Sequence, residues 1–348
     1  ESLTCRYEPE PSVCDIKVGQ FLKRCMYQTG QYDRTSDFVQ LKERLHSLGS
    51  GSANSLFYMA IPPSVFLKTA HSIRDAGMAV NDEHHWSRVV IEKPFGRDTE
   101  SSAELTAAMA HVFTEEQTYR IDHYLGKEVI QNLLILRFGN RIFEPIWNRE
   151  HVESVSIAFS EDIGTEGRAG YFDQFGIIRD VMQNHLMQAL ALVAMEQPIR
   201  MSPTEIAEEK SKLLRAAEPM RASDTVTGQY VAASVNGTDR PGYLDDPNVP
   251  DDSRTETYAR TVVRIANQRW AGVPFFLSAG KALNTRKTEI VIRFRELPHS
   301  IFDRLEPNTL VIRVQPNEAI ELRVNNKIPG VTLQTTGVNL NMLYHREF

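Results

Sequence analysis

"NSLFYMAIPPSVFLKTAHSIRDAG" (residues 54–77) and "SRVVIEKPFG" (87–96) decide the first part of the fold. The apolar run Leu56–Ile61 reads as a buried strand. Pro62 and Pro63 end it, because proline has no N–H to give a ladder. "PSVFLKTAHSIRDAG" then reads as a helix, with Gly77 as its C-terminal signal. "SRVVI" is a second buried strand, stopped at Pro94. Strand, helix and strand of this length make the βαβ unit of a parallel, doubly wound sheet.

Working outward, "TSDFVQLKERLHSL" (35–48) sets Phe38, Leu41, Leu45 and Leu48 three or four apart, which predicts an amphipathic helix. "SSAELTAAMAHVF" predicts another after the second strand. No G-x-G-x-x-G turn follows any strand, and "GSGS" (49–52) precedes one, so it fails as a dinucleotide loop.

The second half changes texture. "HVESVSIAFSE", "TYARTVVRIANQRW", "TEIVIRFRE", "TLVIRVQP" and "AIELRVNN" alternate apolar with polar, as strands covered on one face do. "KEVIQNLLILRF" (127–138) and "RDVMQNHLMQALALVAM" (179–195) predict helices that cover their sheet, and the Pro/Asp/Gly-rich segment 236–254 predicts a surface loop. The expected class is α/β plus α+β. A partial Rossmann-like, coenzyme-binding parallel sheet domain (1–120) precedes a mainly antiparallel sheet domain covered by helices (121–348).

Composition narrows the function classes. The chain has 348 residues, 41% hydrophobic and 24% charged, with a formal net charge of -6. That balance gives no reason to expect nucleic acid or an anionic membrane as partner, and no run of about 18 apolar residues predicts a membrane span. The three cysteines, Cys5, Cys14 and Cys25, are odd in number and contain no CxxC pair. They predict reduced thiols in an intracellular protein, with no disulfide framework and no metal site.

Four stretches have the residue types for chemistry. "EKPFG" (92–96) sets Lys93 at a strand end, where open α/β sheets bind ligands; the plainer reading is a turn with a solvated lysine. "RIDHYLGKE" (120–128) sets His123, Tyr124 and Lys127 before a helix start, suited to an anion such as phosphate, or else forms a capped loop. "EGRAGYFDQFGIIRDVMQNHLMQ" (166–188) sets His185 in an apolar helix, as a general base or as a hydrogen-bonded core residue. A base there needs a carboxylate to orient it, and both Asp122 and Asp180 qualify. "AGKALNTRK" (279–287) sets Lys281, Arg286 and Lys287 beyond a strand, as an anion site or a basic turn.

"VIEKPFGRD", "RIDHYLGKE", "FGIIRDVMQNHL", "GKALNTRK" and "LVIRVQPNEAI", in that order, resemble the glucose-6-phosphate dehydrogenase family from about residue 30 to residue 330. The resemblance implies oxidation of β-D-glucose 6-phosphate at C1 to 6-phosphoglucono-δ-lactone with NADP as hydride acceptor, the first step of the pentose phosphate pathway. It implies His185 as the general base and Asp122 as the residue that orients it. His123, Tyr124 and Lys127 then hold the phosphate, Glu161 and Asp180 the sugar hydroxyls, and Lys281, Arg286 and Gln315 complete the substrate contacts. Lys93 falls between substrate and coenzyme, with Pro94 in the cis form. The family also implies a homodimer or homotetramer in the cytoplasm.

The family's glycine-rich coenzyme finger is expected before residue 1. A second, structural NADP is expected to be weak or absent, since Lys287, Arg313 and Arg323 match its pattern but Ser278, Val291 and Glu321 do not. Two other readings remain open: another sugar oxidoreductase of similar architecture, and a sugar-phosphate-binding fragment without turnover.

Overall fold

The computed structural model describes residues 11–50, 54–235, 238–302 and 305–343. Cys5 and the second half of "GSGS" lie outside them. The chain divides into two compact units, Glu1–Ile121 and Asp122–Phe348.

In the first unit β1 (Ser55–Met59), β2 (Ser87–Ile91) and β3 (Thr118–Arg120) pair in parallel in that order. They share the unit with helices α1 (Pro11–Leu22), α2 (Thr35–Leu45), α3 (Phe66–Asp75) and α4 (Thr99–Ala110). Helix α3 turns Phe66, Ala70 and Ile73 inward at steps of four and three, onto Met59, Val89 and Ile91 of the sheet. Fully burying one such large side chain contributes about 1.5–3 kcal/mol. Asp98 starts α4 by accepting the Ser101 N–H at 2.9 Å.

Two expectations are corrected here. Strand β1 is not buried on both faces: Leu56 and Tyr58 are 58% and 55% exposed, while the alternate Met59 is core. Cys14 is disulfide-bonded and Cys25 is free and exposed. An odd cysteine count forbids complete pairing but permits one bridge, so the reading of three reduced thiols fails.

The second unit is built on an eight-stranded sheet, ordered β13-β12-β11-β10-β4-β9-β8-β5. Its strands are β4 (Val152–Ser160), β5 (Val226–Gly228), β8 (Tyr258–Val263), β9 (Phe275–Gly280), β10 (Lys287–Phe294), β11 (Thr309–Gln315), β12 (Ala319–Lys327) and β13 (Thr335–Leu343). A hairpin pairs β6 (Ala233–Val235) with β7 (Thr238–Arg240), and its second strand falls within the segment 236–254 read as a surface loop. The unit's helices are α5 (Glu128–Phe138), α6 (Ala169–Phe172), α7 (Met187–Ala194) and α8 (Pro203–Ala216).

Period-two alternation sets the register. Ile290 and Ile292 of β10 face Ile157 and Val155 of β4 on one side and Ile312 and Leu310 of β11 on the other. Together these side chains join Val129, Ile130 and Leu133 of α5 and Leu190 and Val193 of α7 in one core. The pair β4–β9 is the parallel exception in this sheet. A parallel pair needs a crossover, and the chain between Ser160 and Phe275 supplies it, carrying α6, α7 and α8. The expected class therefore holds. Among the described residues no helix is long and apolar enough to cross a membrane.

Candidate active site

The site starts where α5 is about to form. Asp122 caps a short 3-10 turn, His123–Gly126, and its Oδ1 accepts the Tyr124 N–H at 2.9 Å. The turn ends at Lys127, which is extended and serves as the N-cap residue of α5. Asp122, His123, Tyr124 and, past Leu125 and Gly126, Lys127 are thereby set out by local backbone geometry.

The second segment of the site is Ile178–Leu186, a π-helix that runs on into α7. Its wide turn frees carbonyls. The Asn184 amide, oriented as its neighbours require, donates to the Arg179 and Asp180 carbonyls at 3.2 Å each. Such segments are frequent at functional sites. Here it carries His185, which is 3% exposed.

His185 Nδ1 lies 2.7 Å from Asp122 Oδ1. An ionised carboxylate only accepts, so Nδ1 carries the proton and donates, leaving the Nε2 lone pair as the basic one. The Tyr124 ring stacks on the imidazole at 4.5 Å and 17°, and His123 meets it edge-on at 4.7 Å. The ring is thus fixed in both orientation and tautomer. Burial works to raise the Asp122 carboxyl, but the hydrogen bond and charge of His185, with the Tyr124 N–H, hold it below the usual range.

Tyr124 leads outward to the cations. Burial pushes its phenol up to about 12, so it is a neutral hydroxyl. It lies 3.3 Å from Thr288 Oγ1 and 3.5 Å from Gln315 Nε2, and Lys127 Nζ donates to Gln315 Oε1 at 3.0 Å. Glu161 and Arg286 also act electrostatically on the Tyr124 phenol.

Glu161 and Lys281 form a pair of their own at 2.5 Å. Each follows the last residue of one of the two parallel neighbours, β4 and β9, whose ends Ser160 and Gly280 are in register. Asp180 is half-buried on the His185 segment, where its charge, after burial, raises the Tyr171 phenol. Asp122 is the carboxylate hydrogen-bonded to the imidazole, at 2.7 Å.

Lys93 belongs to the first unit. It follows β2, is half-buried, and precedes Pro94 through a cis peptide bond. Sequence reasoning missed Thr288, and also Glu256, whose main chain and carboxylate accept the Ile177 and Ile178 N–H groups at the start of the His185 segment. Neither lies in a recognisable motif.

Asp122, His123 and His185 each present a ligand atom within 4.8 Å of the others. The Asp122–His185 hydrogen bond and the neighbouring Lys127 ammonium make this corner better suited to proton transfer beside an anion than to a cation.

The second unit joins a buried His–Asp pair and a nearby lysine to a mixed sheet, and the first unit holds a small parallel sheet. Residues 2–132 match the family model described as glucose-6-phosphate dehydrogenase, NAD binding domain, and residues 134–348 match its C-terminal domain. The chain belongs to the glucose-6-phosphate dehydrogenase family.

Among curated relatives, glucose-6-phosphate 1-dehydrogenase 1, chloroplastic, of Arabidopsis thaliana is 48% identical over 100% of this chain and 61% of its own length. Glucose-6-phosphate 1-dehydrogenase of Ceratitis capitata is 50% identical over 95% of this chain and 63% of its own. A solved structure described as glucose-6-phosphate dehydrogenase in complex with its substrate glucose-6-phosphate superposes with a TM-score of 0.90. It is 43% identical, with 97% of this chain and 69% of that one covered. The chain thus spans a little over six-tenths of the length of these curated relatives.

Proposed function

We propose that this protein oxidises β-D-glucose 6-phosphate at C1 to 6-phosphoglucono-δ-lactone. The observation that carries the reading is the 2.7 Å contact between His185 and Asp122, with Tyr124, Gln315 and Lys127 joined beside it. His185 Nε2 takes the C1 hydroxyl proton, and Asp122 stabilises the imidazolium that results. Lys127, His123 and Tyr124 hold the phosphate, so binding far from C1 fixes the reacting end. Glu161, Asp180, Lys281, Arg286 and Gln315 complete the substrate contacts.

The lost C1–H leaves as hydride, and a nicotinamide coenzyme, when bound, supplies its acceptor. Lys93 fits such a group: it is half-buried just past the carboxyl end of a buried parallel strand, where α/β sheets bind ligands. We take the coenzyme to be NADP, as the resemblance implies. A second, structural NADP is inferred to be weak or absent. The cations that match its pattern already have carboxylate partners: Lys287 with Glu289 at 2.5 Å, Arg313 with Glu321 at 2.7 Å, and Arg323 with Glu306 at 2.6 Å. The proposed assembly is a homodimer or homotetramer. The proposed compartment is the cytoplasm, with a plastid, as in the name of the Arabidopsis thaliana relative, the alternative.

The test is absorbance of NADPH with glucose 6-phosphate and then with plain glucose. NADPH should form only with the phosphate, and His185→Asn should abolish it while calorimetry still detects glucose 6-phosphate binding. Loss of binding equal to the loss of rate would remove His185 from the role of base.

A further inference from the structure

Helix α8 packs on α7, and α7 packs on the 123–126 turn that Asp122 caps. Between these contacts sits a lysine that no motif singles out. Lys210 is half-buried, and its Nζ donates to Gln188 Oε1 at 2.9 Å. Gln188 follows His185 by three residues, about one helical turn.

Asp122 has a matching need. Its Oδ1 takes both the Tyr124 N–H and His185 Nδ1, while Oδ2 is buried and meets no hydrogen-bond donor among the described residues. A buried carboxylate with a bare oxygen is costly unless a cation lies near. Burial weakens the hold of Lys210 on its proton, and Asp122 is the charge that strengthens it.

We propose that Lys210 is a positioning residue for the Asp122–His185 pair, its ammonium standing as a countercharge to the buried Asp122 carboxylate. Gln188 holds that ammonium from the helix that continues the His185 segment, so cation and imidazole keep a fixed relation. The other groups around the pair are His123 and Tyr124 on the Asp122 turn, Arg179 and Asp180 on the His185 segment, and Glu161, Lys281 and Arg286 beyond β4 and β9. Helix α8 also carries Glu205, Glu208, Glu209 and Lys212, and Asp122 acts electrostatically on Lys210.

The consequence has a sign. With Lys210 present, protonating His185 leaves an excess positive charge in a buried place. Without it, the same proton neutralises Asp122, so it binds more tightly. The role in turnover rests on the proposed reaction, but the test does not require turnover.

The His185 imidazole would be titrated by NMR in the full chain, in the wild type, Lys210→Met and Lys210→Arg. The midpoint should rise by about half a unit to one unit in Lys210→Met, the effect of one charge several ångströms away, and return with arginine. An unmoved or lowered midpoint overturns the proposal. Lys210→Gln carries the same expectation should the methionine variant not fold. In Asp122→Asn, conversely, the Lys210 ammonium should lose its proton at lower pH than in the wild type, and an unmoved Lys210 there overturns the proposal by itself. A shifted His185 in a chain that oxidises no sugar phosphate would sink the functional reading and leave this one standing.

Discussion

His185 Nδ1 and Asp122 Oδ1 lie 2.7 Å apart although 63 residues separate them in the chain. The contact decides which ring nitrogen is basic. In Asp122→Asn an amide nitrogen can face Nδ1 instead, which moves the ring proton to Nε2 and removes the lone pair from the substrate side. Turnover should fall by about 10²–10⁴-fold with the far-UV spectrum unchanged.

The same contact makes a pH prediction. Asp122 titrates below the usual carboxyl range despite the opposing effect of burial, because His185 and the Tyr124 N–H favour its charged form. A folded-state value below the unfolded one, about 3.9, gives stability that is present above that value and lost as pH falls through the lower folded value. Urea unfolding of wild type and Asp122→Asn should therefore differ most near neutrality and converge below about pH 4. A gap that widens in acid would contradict the assignment.

Lys127 reaches the site through a hydrogen bond to Gln315 at 3.0 Å. A phosphate contact made there is equal in ground and transition states. Removing a charge-assisted hydrogen bond of about 1.5–3 kcal/mol should raise KM for glucose 6-phosphate roughly 10- to 100-fold in Lys127→Ala, with kcat little changed. If kcat falls and KM does not move, Lys127 acts at the reacting carbon.

Gly176 sits at φ +68 two residues before the start of the His185 segment, and a Cβ there would collide with Glu256 Oε1. That oxygen accepts the Ile178 N–H at 3.2 Å. Gly176→Ala therefore meets both a left-handed backbone and the group that starts the segment. It should destabilise the fold by at least about 1 kcal/mol in urea and lower kcat more than it raises KM. A variant as stable and active as the wild type would show that Glu256 yields freely.

How much of this was legible in the sequence depended on how local the cause was. The alternation in β10 and β11 and the spacing of Phe66, Ala70 and Ile73 read correctly, because each element's own period dictates its buried face. Strand β13 and helix α8 carry no such clear period in their sequence. Helix α8 buries only Glu209 and Leu213, so its apolar face is thin. The π form of Ile178–Leu186 was unreadable, since apolar spacing there fits a plain helix as well. Spacing alone also left Asp122 and Asp180 as equal partners for His185. The choice between them is a matter of tertiary contact, and the family resemblance rather than periodicity pointed to Asp122.

The helix that continues the His185 segment ends in a set of buried caps. The last carbonyls of α7 and of the residue after it each take a side-chain donor: Leu192 and Met195 from Arg137 at 2.8 Å, Val193 from Trp147 at 2.7 Å, and Ala194 from Trp270 at 2.7 Å. A helix end leaves four carbonyls without partners, and here fully buried residues satisfy them. Arg137 is 0% exposed, and burial, opposed by Glu144, lowers its guanidinium to about 10. Arg137→Ala strips two carbonyls of their donor and half of the partnership of Glu144, so it should cost about 3–5 kcal/mol. Arg137→Met restores packing but neither hydrogen bond and should fall between alanine and wild type. Urea unfolding of the three proteins measures both steps. A loss below about 1 kcal/mol in the alanine variant would mean that the two tryptophans hold the end of α7 without the arginine.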